Sequence, residues 1–379
     1  MKKLFAIVVV VIVACALIVA GCSSAAPATT APPKTAAPST TAAPTSAPPA
    51  PAAITLNFNT QTPGPGQKAN YDTDEWIVKE MAARTSGRVK IQMFYNNGLA
   101  SGTDGINATI NGVTDINETV VGYYAGQFPL MSAAELPVGY PSSFAIANAA
   151  NDYFNKYPQV QAEFSKVKLL YFAAPPAFVV GTSKVEIKTN TDAKGLTIRT
   201  HAGSKPIAEA LGATAKIAPI TETYEMISKG TVDGLIVAPE AFHGFKFDEV
   251  CKYMYDVSSV TSTSCSIIIM NKDSLAKLQP QDQQALVDVM KIALGARAVE
   301  WDKENTTGRD NFLKLPGRTF NTPSAADVAA LKAAMKAPID AWVQKANEKG
   351  APGAEMLQYL QDRITYWSTQ PLPTAPWVK

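Results

Sequence analysis

Residues 54–98 read ITLNFNTQTPGPGQKANYDTDEWIVKEMAARTSGRVKIQMFYNNG, and this stretch decides the class of fold. The segment 54–59 alternates in polarity, as a half-buried strand does, and a polar loop with two Pro-Gly pairs follows it. Asp72 or Thr73 can cap the helix that comes next, and residues 89–95 alternate as a second strand. A strand, a helix and a strand of these lengths predict a parallel sheet covered by helices.

The same types of element continue towards the C-terminus. Short apolar or alternating segments indicate strands, and longer stretches with an apolar residue every three or four positions indicate helices. Because 379 residues exceed one ordinary core, we expect two α/β domains. The further predicted strands are 168–173, 178–182, 196–200, 251–257 and 264–271, and the further predicted helices are 203–211, 222–228, 280–301 and 324–345.

The composition excludes several classes of protein. The formal net charge is only +2, whereas a nucleic-acid-binding protein needs clustered Lys and Arg. The two histidines and four cysteines form no CxxC pair and no zinc-like spacing, so we expect neither a metal nor a cofactor. The sequence has no P-loop and no Gly-x-Ser-x-Gly motif, and we expect a protein that is not an enzyme.

The N-terminus has the layout of an export signal. Lys2 and Lys3 precede an uncharged stretch that ends in small residues and Cys22. This order resembles a bacterial lipobox, which implies cleavage of residues 1–21 and lipid attachment to the Cys22 thiol. The alternative is an uncleaved transmembrane helix, since about 18 apolar residues nearly span a bilayer. Both interpretations place the rest of the chain outside the cytoplasm, in the periplasm if the cell has an outer membrane.

Residues 22–53 are expected to tether the folded body to the membrane lipid. Between Ser23 and Ala52 there are eight prolines, many Ala, Thr and Ser residues, and a single charge. Such a segment has no apolar periodicity to bury, and its prolines favour an extended, semi-rigid conformation.

The two histidines and the cysteines of the folded body have structural interpretations that need no functional role. His201 and His243 have no neighbouring motif that would make either a general base, and we interpret both as structural or surface residues. Cys251 and Cys265 either form a disulfide across a short loop or remain two small buried side chains. An exported two-domain α/β protein of this kind is typical of a solute receptor, whose ligand binds at the carboxyl ends of strands.

Residues 194–234 contain an ordered set of short motifs. KGLTIR at 194–199 opens the set, and KGTVDG at 229–234 closes it. IAP at 217–219 and TYEM at 223–226 lie between them. Together with upstream motifs such as TSGRVKI from Thr85 onward, this order resembles the DctP-type solute receptors of TRAP (tripartite ATP-independent periplasmic) transporters.

The resemblance implies a two-lobed periplasmic-binding-protein-like α/β fold, with two mixed sheets flanked by helices, hinge strands and a long helix that crosses between the lobes. It implies lobe I from residues 54–176 and 265–305, lobe II from residues 177–264 and 306–370, and a C-terminal tail from 371–379. It also implies a receptor that binds a small organic acid and delivers it to the membrane permease subunits of a TRAP transporter.

Arg199 stands where the family's arginine pairs with the carboxylate of the ligand, and the resemblance implies this role here. A guanidinium offers two parallel donors to a carboxylate and stays charged when enclosed. Two departures make the pocket less basic: the family's asparagine after Val-Asp-Gly is absent, and Phe178 lies near the place of a second arginine. We therefore expect a monocarboxylate with an apolar body, because an unpaired second carboxylate is costly to enclose.

Further candidate residues surround this arginine in the predicted cleft. Tyr123, Tyr124 and Phe178 are candidate walls, with ordinary packing as the alternative. Glu240 follows a predicted strand end and either binds a ligand hydroxyl or ammonium group or is a solvated surface acid. Thr60 ends the first strand. Closure is expected to bend the chain near residues 174–178 and 262–266, with the lobes gripping the ligand from both sides.

Two other functions stay open on the sequence alone. An extracytoplasmic carboxylate sensor would use the same fold and pocket. An exported enzyme on a carboxylated substrate would need His201, Glu240 or Tyr224 to act near Arg199.

Overall fold

The computed structural model describes residues 52–124 and 126–378. The predicted signal peptide, Cys22 and nearly all of the predicted tether lie outside the described residues. Within those two ranges, none of the helices combines the length and the apolar character that a membrane span requires.

The described chain alternates short strands with helices. In chain order the elements are β1 (Ile54–Asn59), α1 (Lys68–Arg84), β2 (Val89–Phe94), α2 (Gly105–Ile110), β3 (Ile116–Val120), α3 (Ser143–Lys156), α4 (Pro158–Ala162), β4 (Lys168–Ala173), β5 (Val179–Thr182), β6 (Thr197–Thr200), α5 (Lys205–Ala210), β7 (Thr214–Ile217), α6 (Thr223–Ser228), β8 (Gly234–Val237), α7 (Ala241–Gly244), α8 (Phe247–Val250), β9 (Tyr253–Asp256), β10 (Ser266–Met270), α9 (Lys272–Ala276), α10 (Pro280–Lys314), β11 (Thr319–Asn321), α11 (Ala325–Glu348) and α12 (Gly353–Ser368).

The strands form two mixed sheets, and each sheet is the centre of one lobe. The sheet of lobe I has the strand order β2-β1-β3-β10-β4, and the sheet of lobe II has the order β11-β9-β5-β8-β6-β7. β1 pairs in parallel with β2 and β3, as the strand-helix-strand pattern predicts. β10 runs antiparallel between β3 and β4, and β5 runs antiparallel between β8 and β9. The predicted fold class is confirmed.

The chain passes between the sheets in two extended segments. Residues 174–178 lead from β4 to β5, and residues 257–265 lead from β9 to β10. The hydroxyl of Tyr140 lies 3.2 Å from the carbonyl oxygen of Pro175 and 3.3 Å from that of Ser262. One phenolic proton is therefore shared between the two segments, which fixes them to each other at a single point.

Helix α10 is a third connection between the lobes. Its 35 residues span about 50 Å at 1.5 Å per residue. Val289 and Met290 lie in the core of lobe I, whereas Phe312 packs against Phe242 of lobe II with ring centroids 5.4 Å apart. The helix continues past Trp301, where the sequence analysis ends it, because contacts with lobe II hold a largely polar extension in place.

The C-terminal helices modify the predicted division into lobes. Helix α11 contributes Met335 to the core of lobe II and Trp342 to the core of lobe I. In helix α12, Leu360 and Ile364 are buried in the core of lobe I. Residues 353–368 therefore pack with lobe I, whereas the sequence analysis assigns residues 306–370 to lobe II.

The structure corrects one local expectation and selects one of the two alternatives given for Cys251 and Cys265. Helix α1 begins at Lys68 rather than near Asp72, and the Thr73 hydroxyl donates to the carbonyl oxygen of Ala69 within the helix. Cys251 and Cys265 are free thiols in the described chain, since Cys251 is buried in the core of lobe II and Cys265 in that of lobe I. Packing keeps the two apart although they are close in sequence.

A fully buried ion pair lies in lobe I. Nη2 of Arg297, on α10, donates to Oε1 of Glu118, on β3, at 2.8 Å. The guanidinium lies 4.6 Å from the ring centroid of Trp301, which adds a cation–π contact. Asp74, also fully buried, has no hydrogen-bond partner for either carboxylate oxygen among the described residues, and burial raises its pKa well above its usual range. Arg297 is thus the cation that allows Glu118 to be buried as a carboxylate.

Replacement of Arg297 by Met should leave the Glu118 carboxylate buried without its counter-charge. We expect the free energy of unfolding to fall by about 3–5 kcal/mol, as for other broken buried pairs, in urea titrations followed by circular dichroism. Lys303→Met, on an exposed part of the same helix, is the matched control and should cause no measurable loss. Equal stability of the two variants would contradict the assigned role of Arg297.

Candidate functional site

A cleft between the two lobes contains most of the predicted site residues. It consists of two adjoining chambers, with cavity volumes of about 30 and 40 Å³, that share five lining residues. The shared residues are Gln61, Phe178, Ile220, Val237 and Ser264. The smaller chamber is completed by Tyr123, Arg199, His201 and Ile236, and the larger one by Gln67, Asn70, Pro175, Glu240, Phe245, Ser266 and Trp301. A wider groove between residues 138–141 and helix α12 is open to solvent and has no charged lining residue.

Arg199 lies on β6 with its side chain in the smaller chamber, and only 3% of the residue is exposed. Its Nε and Nη2 atoms donate to the carbonyl oxygen of Ala218, at 2.9 and 2.6 Å. This carbonyl follows β7, the parallel neighbour of β6, so the sheet itself orients the guanidinium. The Nη1 atom makes no hydrogen bond to any of the described residues and keeps its donors available.

The charge of Arg199 is not neutralised within the described part of the chain. None of the ion pairs found there includes Arg199, whereas the other buried arginine, Arg297, is paired with Glu118. Burial lowers the pKa of the Arg199 guanidinium, although an arginine side chain stays charged in proteins. A buried cation without a counter-ion is costly, and an anion bound in the cleft would remove that cost.

Tyr123 joins the two lobes at this point. It belongs to a short 3₁₀ turn that follows β3 of lobe I. Its hydroxyl oxygen accepts from Nη2 of Arg199 at 3.2 Å and from the backbone nitrogen of Ile220 at 3.0 Å, both in lobe II. The Arg199 guanidinium that lines the smaller chamber therefore also forms a hydrogen bond between the two lobes.

The walls between the chambers are largely apolar. Phe178 lies edge-on to the ring of His201, with centroids 5.6 Å apart, and its backbone nitrogen donates to the Thr261 hydroxyl. Val237, at the end of β8, occupies the same wall as Phe178. The segment after Val-Asp-Gly, where the sequence analysis notes a missing polar residue, thus contributes an apolar surface to the cleft.

A chain of hydrogen bonds crosses the larger chamber from lobe I to lobe II. Nε of Arg297 donates to Oδ1 of Asn70 at 2.9 Å, and Nδ2 of Asn70 donates to Oε1 of Gln67 at 2.8 Å. Nε2 of Gln67 then donates to Oε2 of Glu240 at 2.9 Å. Burial raises the pKa of Glu240 to about 8, so this carboxyl is largely protonated at neutral pH.

The His201 ring has both nitrogens engaged. Nε2 lies 2.8 Å from the carbonyl oxygen of Thr263, which can only accept, so Nε2 carries the proton and Nδ1 accepts from Ser204 at 2.8 Å. Burial lowers the pKa of His201 to about 3, and the ring is neutral at physiological pH. This arrangement fits the structural interpretation of His201, since it ties β6 to the segment before β10.

Two predicted site residues do not line the cleft. The Tyr124 hydroxyl donates to the carbonyl oxygen of Gly102 at 2.8 Å and lies within lobe I. Thr60 is fully buried, and its hydroxyl donates to Oε2 of Glu118 at 2.6 Å, so it supports the ion pair in lobe I. Both follow or end a strand, but their side chains point into the lobe rather than towards the cleft.

Six polar residues of the cleft were not predicted as site residues from the sequence: Gln61, Gln67, Asn70, Ser264, Ser266 and Trp301. Gln61 had a usable signal, since it lies just past the carboxyl end of β1, where ligand sites of such sheets occur. Gln67, Asn70 and Trp301 reach the cleft only because α1 and α10 pack together in lobe I.

Two lobes around a cleft with a buried, unneutralised arginine define a two-lobed receptor for small anions. The sequence profile of the bacterial extracellular solute-binding proteins of family 7 (DctP) matches residues 63–346, about three quarters of the chain. The chain belongs to this family. The prediction of a DctP-type TRAP receptor is thereby confirmed, and the relatives are solute-binding transport proteins rather than enzymes.

Individual relatives are distant but similar over most of their length. A solute-binding protein from Verminephrobacter eiseniae is 26% identical over 307 residues, which cover 80% of this chain and 88% of that protein. A TRAP periplasmic solute-binding protein from Desulfovibrio salexigens is 28% identical with a TM-score of 0.70, covering 84% of this chain and 98% of that one. One from Bordetella bronchiseptica, solved with bound (R)- and (S)-mandelate, is 25% identical with a TM-score of 0.76, covering 83% and 99%.

The raised pKa of Glu240 predicts a pH dependence of stability. The protonated carboxyl is favoured in the folded state, so its contribution is fully present below the unfolded pKa of 4.5 and is lost as the pH rises through about 8. We expect the free energy of unfolding to fall less between about pH 5 and pH 9 in Glu240→Gln than in the unaltered protein. Urea unfolding at constant ionic strength measures this difference.

Glu135, whose pKa burial also raises to about 8, should keep part of the slope in that variant. The matched control is Glu225→Gln, which removes an exposed carboxylate whose pKa is lowered by Lys229 and which should not change the slope in this range. An unchanged slope in Glu240→Gln would mean that Glu240 is already ionised at neutral pH.

Proposed function

We propose that this protein is the extracytoplasmic receptor of a TRAP transporter for a monocarboxylate with an apolar body. The observation that carries the proposal is the buried charge of Arg199, which lines the cleft and forms no ion pair within the described residues. The carboxylate of the ligand would accept from the free Nη1 atom and supply the missing negative charge. The closed receptor would then deliver the acid to the membrane permease subunits.

The lining of the cleft favours one carboxylate over two. Among the described residues that line the two chambers, Arg199 is the only Lys or Arg. Arg297 lies behind the larger chamber, but its charge is already matched by Glu118. A second carboxylate on the ligand would therefore be enclosed without a counter-charge, which is costly.

The walls favour an apolar body on that ligand. The body of a ligand whose carboxylate binds the guanidinium would lie against apolar side chains of the smaller chamber. These are Phe178, Ile220, Ile236 and Val237. Enclosure of an aromatic or branched body against these side chains contributes about 25 cal/mol for each Å² of apolar surface removed from water. The mandelate complex of the Bordetella bronchiseptica protein, in which the acid has an aromatic ring, is consistent with this preference.

Closure of the lobes is the proposed step that couples binding to transport. The cavity volumes of about 30 and 40 Å³ hold only a few water molecules each, so an organic acid enters when the lobes separate. The crossings at 174–178 and 257–265 would bend, with lobe I and lobe II divided at these segments. Arg199 from lobe II and Tyr123 from lobe I would then contact the same ligand, which gives it a higher affinity for the closed form.

Replacement of Arg199 by Gln tests this function. We expect calorimetry to show binding of a monocarboxylate such as mandelate or benzoate to the unaltered protein, and a loss of about 100-fold or more in Arg199→Gln. The reason is that hydrogen bonds to a charged partner contribute about 1.5–3 kcal/mol each. Arg309→Gln, which changes an exposed arginine of α10, should bind as the unaltered protein does. Tighter binding of a compact dicarboxylate such as succinate would contradict the proposal.

We further propose that a lipid on Cys22 and the tether at 22–53 hold the receptor at the cell membrane. The sequence supports this through the small residues before Cys22 and the proline-rich segment after it. A diacylglyceryl group would anchor the protein, because two acyl chains give stable membrane attachment.

Intact-mass analysis of the protein extracted from membranes tests the anchor. We expect the mature chain to lack residues 1–21 and to carry the mass of the lipid, and we expect Cys22→Ser to retain residues 1–21 without added mass. Cys251→Ser should be processed like the unaltered chain. Retention of residues 1–21 by the unaltered chain would instead favour an uncleaved membrane helix.

A further inference from the structure

Two enclosed polar atoms of the larger chamber have no hydrogen-bond partner among the described residues. They are Nε1 of Trp301, a donor, and Oε1 of Gln61, an acceptor. Trp301 is only 3% exposed, and both residues line the chamber. Buried polar atoms are almost always paired, so an unpaired donor and an unpaired acceptor on two residues that line one chamber point to a polar group of a ligand as their partner.

Ser264 and Ser266 also line the chamber, but neither is bonded to these two atoms among the described residues. The polar side chains from Arg297 to Glu240 are engaged with one another, and their hydrogen bonds have a fixed direction. Arg297 only donates, which turns Oδ1 of Asn70 towards it and leaves Nδ2 of Asn70 to donate to Gln67. Gln67 in turn donates to Glu240. Each amide in this chain is thus oriented and used, and Trp301 and Gln61 lie outside it.

We propose that the larger chamber binds one hydroxyl group of the ligand, at the end of the molecule remote from its carboxylate. The hydroxyl would donate to Oε1 of Gln61 and accept from Nε1 of Trp301. A hydroxyl does both through one atom, whereas a carbonyl oxygen only accepts and an ammonium group only donates. This inference rests on the proposed function and narrows its ligand to a monocarboxylate with a distal hydroxyl.

The apolar side of the chamber favours one hydroxyl rather than several. Phe178, Ile220, Val237 and Phe245 supply its apolar lining. The additional hydroxyls of a sugar acid would lie against these side chains and lose their hydrogen bonds with water. A ligand with a single hydroxyl on an aromatic or aliphatic body has no further hydroxyl that would be left without a hydrogen bond.

The test compares acids that differ by this one group. We expect the whole receptor to bind 3-hydroxybenzoate at least tenfold more tightly than benzoate, and 3-hydroxyphenylacetate at least tenfold more tightly than phenylacetate, in isothermal titrations. In Gln61→Met and in Trp301→Phe the affinity ratio within each pair should fall towards one. Phe keeps an aromatic ring next to Arg297, which guards against loss of the fold.

The controls and the remaining outcomes separate this inference from the proposed function. Trp76→Phe and Gln358→Met change the same residue types outside the cleft and should keep the ratio of the unaltered protein. Failure of every acid to bind would overturn the proposed function and this inference together. Binding of both members of a pair with equal affinity, a ratio that survives in Gln61→Met and Trp301→Phe, or tighter binding of glucuronate would overturn this inference alone.

Discussion

The buried pair of Arg297 and Glu118 sets the direction of the hydrogen bonds that cross the cleft from lobe I to lobe II. A guanidinium carries only donors, so the hydrogen bonds that lead away from Arg297 through Asn70 and Gln67 can run in one direction alone. They end on Glu240 of lobe II, whose carboxyl is kept largely protonated by burial. The ion pair thereby decides which polar atoms of the cleft are already used and which are left for a ligand.

The two buried arginines are similarly enclosed but differ in whether a carboxylate of the fold compensates their charge. Arg297 has a carboxylate, an amide, a phenol and an aromatic ring around it, and its charge is satisfied by the fold. Arg199 has one carbonyl oxygen and one phenol, which are dipoles rather than charges. The free energy that the fold does not recover at Arg199 would be available to the ligand carboxylate that we propose. Buried charged groups with little compensation from the fold are concentrated at functional sites.

The sequence analysis predicts the elements whose signal is local. The bounds of β1 and β4 match the structure because both strands alternate clearly between turn residues. β8 is expected only as an unbounded strand end before Glu240, because its residues Gly234–Val237 show no alternation of polarity. The end of α10 depends on its contact with lobe II, and the separation of Cys251 from Cys265 depends on which core each one joins. Arg199 and Phe178 were predicted from their places in the family's motifs, and Tyr123 and Glu240 follow strand ends. Asn70 and Trp301 lie on helices that meet only through long-range packing.

Two contacts between the lobes outside the cleft are made through the backbone of glycines. A Cβ on Gly203 of lobe II would lie 2.5 Å from the carbonyl oxygen of Glu135 of lobe I, and a Cβ on Gly66 would lie 3.3 Å from the Cα of Gly244. Only glycine allows so close an approach at Gly203. Surfaces that meet through glycines bury little apolar area, so their separation costs less than the opening of a packed core. At these two points separation of the lobes would expose little apolar surface, so the proposed closure would depend more on the contacts that a ligand makes in the cleft.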